Sequence, residues 1–140
     1  HEVPAGNAMS LQREVIAPPL PRLDAGRSLD QQVSMMVRGG EFLFVSGLTA
    51  VDPKTGERLR GTTMSETRQI LANLKLMLEA AGSSLDKVVK VNVLLHSMLE
   101  APNMNEVFAR VFPEPPPART VCGARLPDGV RIMIECTALA

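Results

Sequence analysis

Residues 63–95 read TMSETRQILANLKLMLEAAGSSLDKVVKVNVLL, and this stretch decides the fold class. In its first part Ile70, Leu71, Leu74, Met77, Leu78 and Ala81 recur at three- and four-residue steps. That spacing lines one face of an α-helix with apolar side chains. Thr63 and Glu66 stand at capping-box spacing at the start, and Gly82 supplies the stop after residue 81. The second part, KVVKVNVLL at 87–95, is rich in β-branched residues that suit a strand. A long amphipathic helix that hands over to an apolar strand needs a sheet to pack against, so the rest of the chain must supply one.

Working upstream, VSMMVR at 33–38 and EFLFVSG at 41–47 flank Gly39-Gly40, the signature of two strands joined as a hairpin. The second of these strands is almost wholly apolar, which predicts burial on both of its faces. Asp52-Pro53-Lys54-Thr55-Gly56 is a turn, with proline presetting φ and glycine tolerating a positive one. Downstream, 101–112 predicts a shorter helix with Met104, Val107, Phe108 and Val111 inward, ended by the proline-rich run at 113–117. Strands at 119–125 and 130–139 close the chain around the turn Leu126-Pro127-Asp128-Gly129. The order is ββαβαββ, which implies an α+β single domain: a mixed sheet with both helices on one face. Two helices cover one side only, so the other sheet face is expected to be apolar and hidden by oligomerisation.

Ahead of this domain, Pro18, Pro19 and Pro21 argue for an extended or loose arm. Residues 1–8 read as a vector-derived remnant before Met9. The expected division is therefore 1–29 as remnant and arm, and 30–140 as the domain.

Composition excludes several kinds of function. Fifteen basic residues balance fifteen acidic ones, and there are four Phe but no Trp or Tyr. Neither a long-range field nor stacking platforms favour nucleic acid. No apolar run approaches the roughly 20 residues of a spanning helix, so no membrane partner is expected. His1 and His96 are the only histidines, and Cys122 and Cys136 have no CxxC spacing. No metal site follows from that set, and the two cysteines are expected as buried free thiols in a reducing cytosol.

Five segments carry a resemblance: Phe44-Val45-Ser46-Gly47, Asp52-Pro53-Lys54-Thr55-Gly56-Glu57, Thr67-Arg68-Gln69 through Asn73-Leu74, Ala80-Ala81-Gly82, and Pro117-Ala118-Arg119-Thr120 with Arg125-Leu126-Pro127. In this order and spacing the chain resembles the Rid (RidA/YjgF) family of reactive-intermediate imine deaminases over about residues 33–139. The resemblance implies a chorismate-mutase-like fold assembled as a homotrimer with clefts between subunits. It also implies cofactor-independent hydrolysis of a small 2-imino or enamine carboxylic acid to the 2-oxo acid and ammonia. An RNA-cleaving role has been attached to the family as well, and the composition above argues against it here.

By the same resemblance Arg119 holds the substrate carboxylate, and its planar fork suits bidentate carboxylate binding. Ser46, Gly47 and Asn105 match positions lining the cleft. Ser46 reads alternatively as a strand-end hydroxyl bonded to backbone, and Asn105 as a helix-surface amide. Three departures stand out. Val33 lies near a tyrosine of well-known members. Met133-Ile134-Glu135 replaces an acidic-apolar-acidic run, so that methionine stands where an acid helps place water. The segment from Arg119 to Leu126 is one residue short, which leaves either Val121 or Cys122 in the place of the cleft cysteine. Imine hydrolysis needs a held carboxylate and a placed, deprotonated water. Cys122 is the candidate acid or base for that water, subject to its pKa being lowered. Met133 and Val33 together predict a cleft less polar than usual, suited to a bulkier or more apolar substrate.

Overall fold

In the computed structural model, which describes residues 12–19, 33–127 and 129–140, β-branched and apolar runs assemble one six-stranded sheet. The strands are β1 (Arg13–Val15), β2 (Met36–Gly39), β3 (Phe42–Leu48), β4 (Val88–Leu95), β5 (Ala118–Gly123) and β6 (Ile132–Leu139). The helices are α1 (Thr63–Ala80), between β3 and β4, and α2 (Ala101–Val111), between β4 and β5. The sheet order is β1-β2-β3-β6-β4-β5. Only β4 and β5 run parallel, and every other neighbouring pair is antiparallel. This is the α+β architecture with a mixed sheet that the sequence predicts. One strand is added: β1, from the predicted arm, pairs with β2 at the sheet edge. The remnant at 1–8 and the stretch 20–29 of the arm lie outside the described residues.

The hairpin turn falls one residue later than Gly39-Gly40. Gly39 pairs with Phe42, so Gly40 and Glu41 form the two-residue loop. Gly40 takes φ 58°, while among the described residues no non-glycine has a positive φ. A positive angle on the first loop residue alone matches the right-handed twist of the flanking strands.

Helix α1 buries Ile70, Leu71, Leu74, Met77 and Leu78, the predicted stripe, and adds Asn73 to it. Its cap differs from the sequence reading. Thr62 is the N-cap and exchanges hydrogen bonds with Ser65, each side chain accepting from the other's backbone N–H. Glu66, 3% exposed, is thereby released for tertiary work. Its carboxylate accepts from the backbone N–H of Gly61 (3.2 Å) and of Arg131 (3.1 Å), tying the loop before α1 to the start of β6. Helix α2 buries Met104, Val107 and Phe108 and packs beside α1.

Both helices cover one sheet face. On that face sit Leu43 and Val45 of β3, Val91, Val93 and Leu95 of β4, and Ile132, Ile134, Cys136 and Ala138 of β6, all buried. The opposite face of β3 is open in the single chain, since Phe42 and Phe44 are 40% and 48% exposed. Burial of EFLFVSG on both faces is thus not met among the described residues, whose two helices both lie on the other side. The thiols differ in the same way. Cys136 is buried as expected, whereas Cys122 is exposed on the edge strand β5.

Candidate functional site

The predicted site residues fall into two groups on opposite parts of the sheet. The first group surrounds a cavity of about 530 Å³ where β3 leaves β6. Val33, Ser46, Gly47, Met133 and Glu135 all line it. The reason lies in a break of register: β3 and β6 pair regularly up to Val45↔Cys136, then shift before Leu48↔Ile134. Such a bulge bends the strand and re-aims its side chains, and here it falls on Ser46-Gly47. Ser46 donates its hydroxyl proton to the Ser34 carbonyl at 2.7 Å. Its oxygen lone pairs are left to receive a donor.

Gly47 is there for close approach. A β-carbon added to it would sit 2.7 Å from the Met133 sulfur and 3.1 Å from its Cγ. Met133 therefore fills the space a side chain at residue 47 would take, and lays a thioether along the cavity wall. Glu135, two residues on and on the same face of β6, accepts a hydrogen bond from the Asn92 amide at 2.9 Å.

Sequence reasoning missed other lining residues: Arg58, Asn73 and Met77. Asn73 carried a signal, because it lies on the apolar stripe of α1, three residues after Ile70 and four before Met77. Its buried amide is satisfied, donating to the Val51 carbonyl (2.9 Å) and accepting from Gln69 (3.0 Å). Asn92 is likewise the one uncharged polar residue in KVVKVNVLL. Arg58 had no local signal: an isolated bridge between Val51 and Arg58 brings it to the cavity.

The second group lies on β5 and α2. Residues 118–123 pair one-to-one with 90–95 of β4, without a bulge. Arg119 is opposite Val91 and Val121 opposite Val93, on the helix side, while Cys122 is opposite Leu94 on the other face. Of Val121 and Cys122, Val121 is therefore the one that shares a face with Arg119. Arg119 is exposed, and its guanidinium carbon lies 5.1 Å from the centroid of the Phe108 ring. Asn105 is exposed on α2. Neither Arg119, Val121, Cys122 nor Asn105 lines the cavity. Between β3 and β5 stand β6 and β4, three strand spacings or about 14 Å. One chain therefore does not bring the two groups together.

Burial, with the negative charge of Glu135 adding to it, raises the Cys136 thiol from 9.0 to about 12. It is chemically quiet at neutral pH. Among the described residues no group of three or more His, Cys, Asp or Glu side chains converges as metal ligands would. His96 is exposed just beyond β4. No helix among the described residues is long and apolar enough to cross a membrane.

Fold and geometry together define a class: an α+β domain with a bulged-strand cavity at one part of its sheet and an exposed arginine at the other. Residues 27–140 match the family described as Endoribonuclease L-PSP. A RutC family protein of Pyrococcus horikoshii is 47% identical over 106 residues, covering 75% of this chain and 84% of that protein. The chloroplastic Reactive Intermediate Deaminase A of Arabidopsis thaliana is 34% identical over 106 residues, covering 75% of this chain and 57% of that one. The crystal structure of RidA from an Antarctic Psychrobacter superposes with a TM-score of 0.75 at 34% identity, covering 81% of this chain and 92% of that chain. The chain belongs to this Endoribonuclease L-PSP family, the Rid family of the motif resemblance.

Proposed function

We propose that the protein is a Rid-type deaminase that hydrolyses a small 2-imino or enamine carboxylic acid to the 2-oxo acid and ammonia, without a cofactor. The observation that carries this reading is Arg119. Among the described residues its guanidinium makes no hydrogen bond and no ion pair, so its N–H donors are available to a carboxylate, in a motif setting shared with imine deaminases. The name of the Arabidopsis relative supports the same chemistry.

In this reading Arg119 holds the carboxylate in a bidentate pair, which fixes the neighbouring iminium carbon. Water adds to that carbon: the C–O bond forms as the C=N π pair moves to nitrogen. A proton passes from the added oxygen to nitrogen, the C–N bond breaks with ammonia as leaving group, and the C=O bond of the 2-oxo acid remains. Glu135, oriented by Asn92 at 2.9 Å, is the group assigned to accept the water proton.

The two separated residue groups support a site shared between copies. Arg119, Val121 and Asn105 of one chain would face Ser46, Gly47, Val33, Met133 and Glu135 of another in a homotrimer. Such an assembly would also cover the apolar outer face at Phe42 and Phe44. Two free thiols fit a reducing compartment, and the reading keeps the protein in the cytosol. Mixing the protein with freshly generated 2-iminopropionate or 2-iminobutyrate and following semicarbazone formation tests the activity. Acceleration lost in Arg119→Ala is expected. No acceleration by a trimer of proven mass would remove the deaminase reading.

A second reading, a trimer that binds small carboxylates without hydrolysing them, is favoured by Met133. Its thioether, packed on Gly47, has no proton to give or take at a position where an acid is expected. Stabilisation by 2-oxo acids without any deaminase activity would select it.

A further inference from the structure

We infer that Phe108 is a positioning residue that presents Arg119 to its carboxylate. The inference rests on the reading of Arg119 as the clamp.

Arg119 stands on β5, which has a single neighbour, β4. An exposed arginine on an edge strand has many rotamers of similar energy, and ordering it on binding carries an entropic cost. Proteins usually hold such a side chain with an acidic partner, but an acid would occupy the N–H donors and neutralise the charge that a substrate carboxylate needs. Here the recorded contact is a ring. The Phe108 face attracts the cation at 5.1 Å through its quadrupole and uses none of the five N–H donors. Phe108 is itself anchored: it is 8% exposed, and the Phe112 ring backs it at 5.2 Å between centroids, tilted by 42°. Its helix is pinned by Met104 and Val107, both essentially fully buried. The ring is thus a fixed platform, and the guanidinium rests on it with charge and donors intact. A substitution that keeps apolar bulk but removes the π face should loosen Arg119 without unfolding α2.

The test uses the full chain and 2-oxobutyrate as a stable carboxylate probe, titrated by calorimetry. Phe108→Leu and Phe108→Met should each weaken binding about fivefold, the scale of one cation–π contact. Phe108→Tyr, which keeps the ring, should bind like the parent. In an Arg119→Ala background Phe108→Leu should add no further loss, because its effect acts through the arginine. As a signature that packing alone would not move, the Arg119 Nε–Hε resonance should be shifted upfield by the ring in the parent and in Phe108→Tyr, and should relax in Phe108→Leu and Phe108→Met. An unshifted Arg119 resonance in the parent protein overturns the inference and leaves the clamp standing. So does a loss from Phe108→Leu that is as large without Arg119 as with it. If Arg119→Ala binds 2-oxobutyrate as the parent does, the clamp itself falls and this inference with it.

Discussion

Gly47→Ala is the sharpest perturbation the geometry offers. The new methyl would stand 2.7 Å from the Met133 sulfur and 3.1 Å from its Cγ, where apolar heavy atoms prefer about 3.5–4.0 Å. A shortfall of about 1 Å at sulfur cannot be absorbed in place. The thioether, the end of a flexible side chain on the cavity wall, must swing into the cavity, which puts the cost at the low end of overpacking, about 1–2 kcal/mol. The backbone itself raises no objection. Among the described residues the glycines with positive φ are Gly40, Gly56, Gly82 and Gly129, and Gly47 is not one of them. Replacing a glycine at an ordinary φ restricts the unfolded chain and returns about 0.4–1 kcal/mol. The net expectation is a loss of at most about 1.5 kcal/mol. That corresponds to a fall of at most about 5 °C in Tm for a domain of this size, measured at fixed protein concentration. With Met133→Ala as background the obstacle is gone, so Gly47→Ala should be neutral or slightly stabilising there. The coupling energy of the cycle should be about 1–2 kcal/mol. Equal costs in both backgrounds would refute the Gly47–Met133 contact as the reason for glycine.

Arg119→Ala should weaken 2-oxo acid binding about 10- to 100-fold, the worth of hydrogen bonds to a charged group; equal ligand-induced thermal shifts in parent and variant would count against the clamp. Glu66→Ala should cost about 2–4 kcal/mol, because two backbone N–H groups lose a buried acceptor. Glu66→Gln, which keeps one accepting oxygen, should cost distinctly less in urea unfolding. Cys136 supplies a pH prediction. Its folded-state pKa of about 12 exceeds the ordinary 9.0, so its contribution is complete below pH 9 and is lost as pH rises from there towards 12. The unfolded chain releases the proton first in that window, and the slope approaches about 1.4 kcal/mol per pH unit. Cys136→Ala should flatten stability against pH between 9 and 11, and an unchanged slope would show that the thiol is not held neutral by its burial.

The elements were legible in the sequence because their signals are local. The stripe Ile70, Leu71, Leu74, Met77 and Leu78 needs only its own spacing to declare a helix, and KVVKVNVLL only its β-branched run. The capping box was misread by one residue for a tertiary reason. Ser65 completes the box with Thr62, while Glu66 finds two backbone donors, Gly61 and Arg131, the second 65 residues away. The burial of EFLFVSG was read from composition alone, and composition does not say whether the second face is met by the same chain.

The family was visible in the sequence, and the same motifs marked Arg119, in its proline-alanine setting, as the candidate to hold a carboxylate. What the sequence left open was which of Val121 and Cys122 takes the place of the family's cleft cysteine. Strand alternation puts Val121 on the face of Arg119 only if no residue is bulged out, and the uninterrupted pairing of 118–123 with 90–95 meets that condition. The Phe108 platform and the separation of the residues into two groups came from the tertiary structure alone. Both depend on strand order and helix docking, which bring together residues far apart in the chain and separate others that a motif list sets side by side.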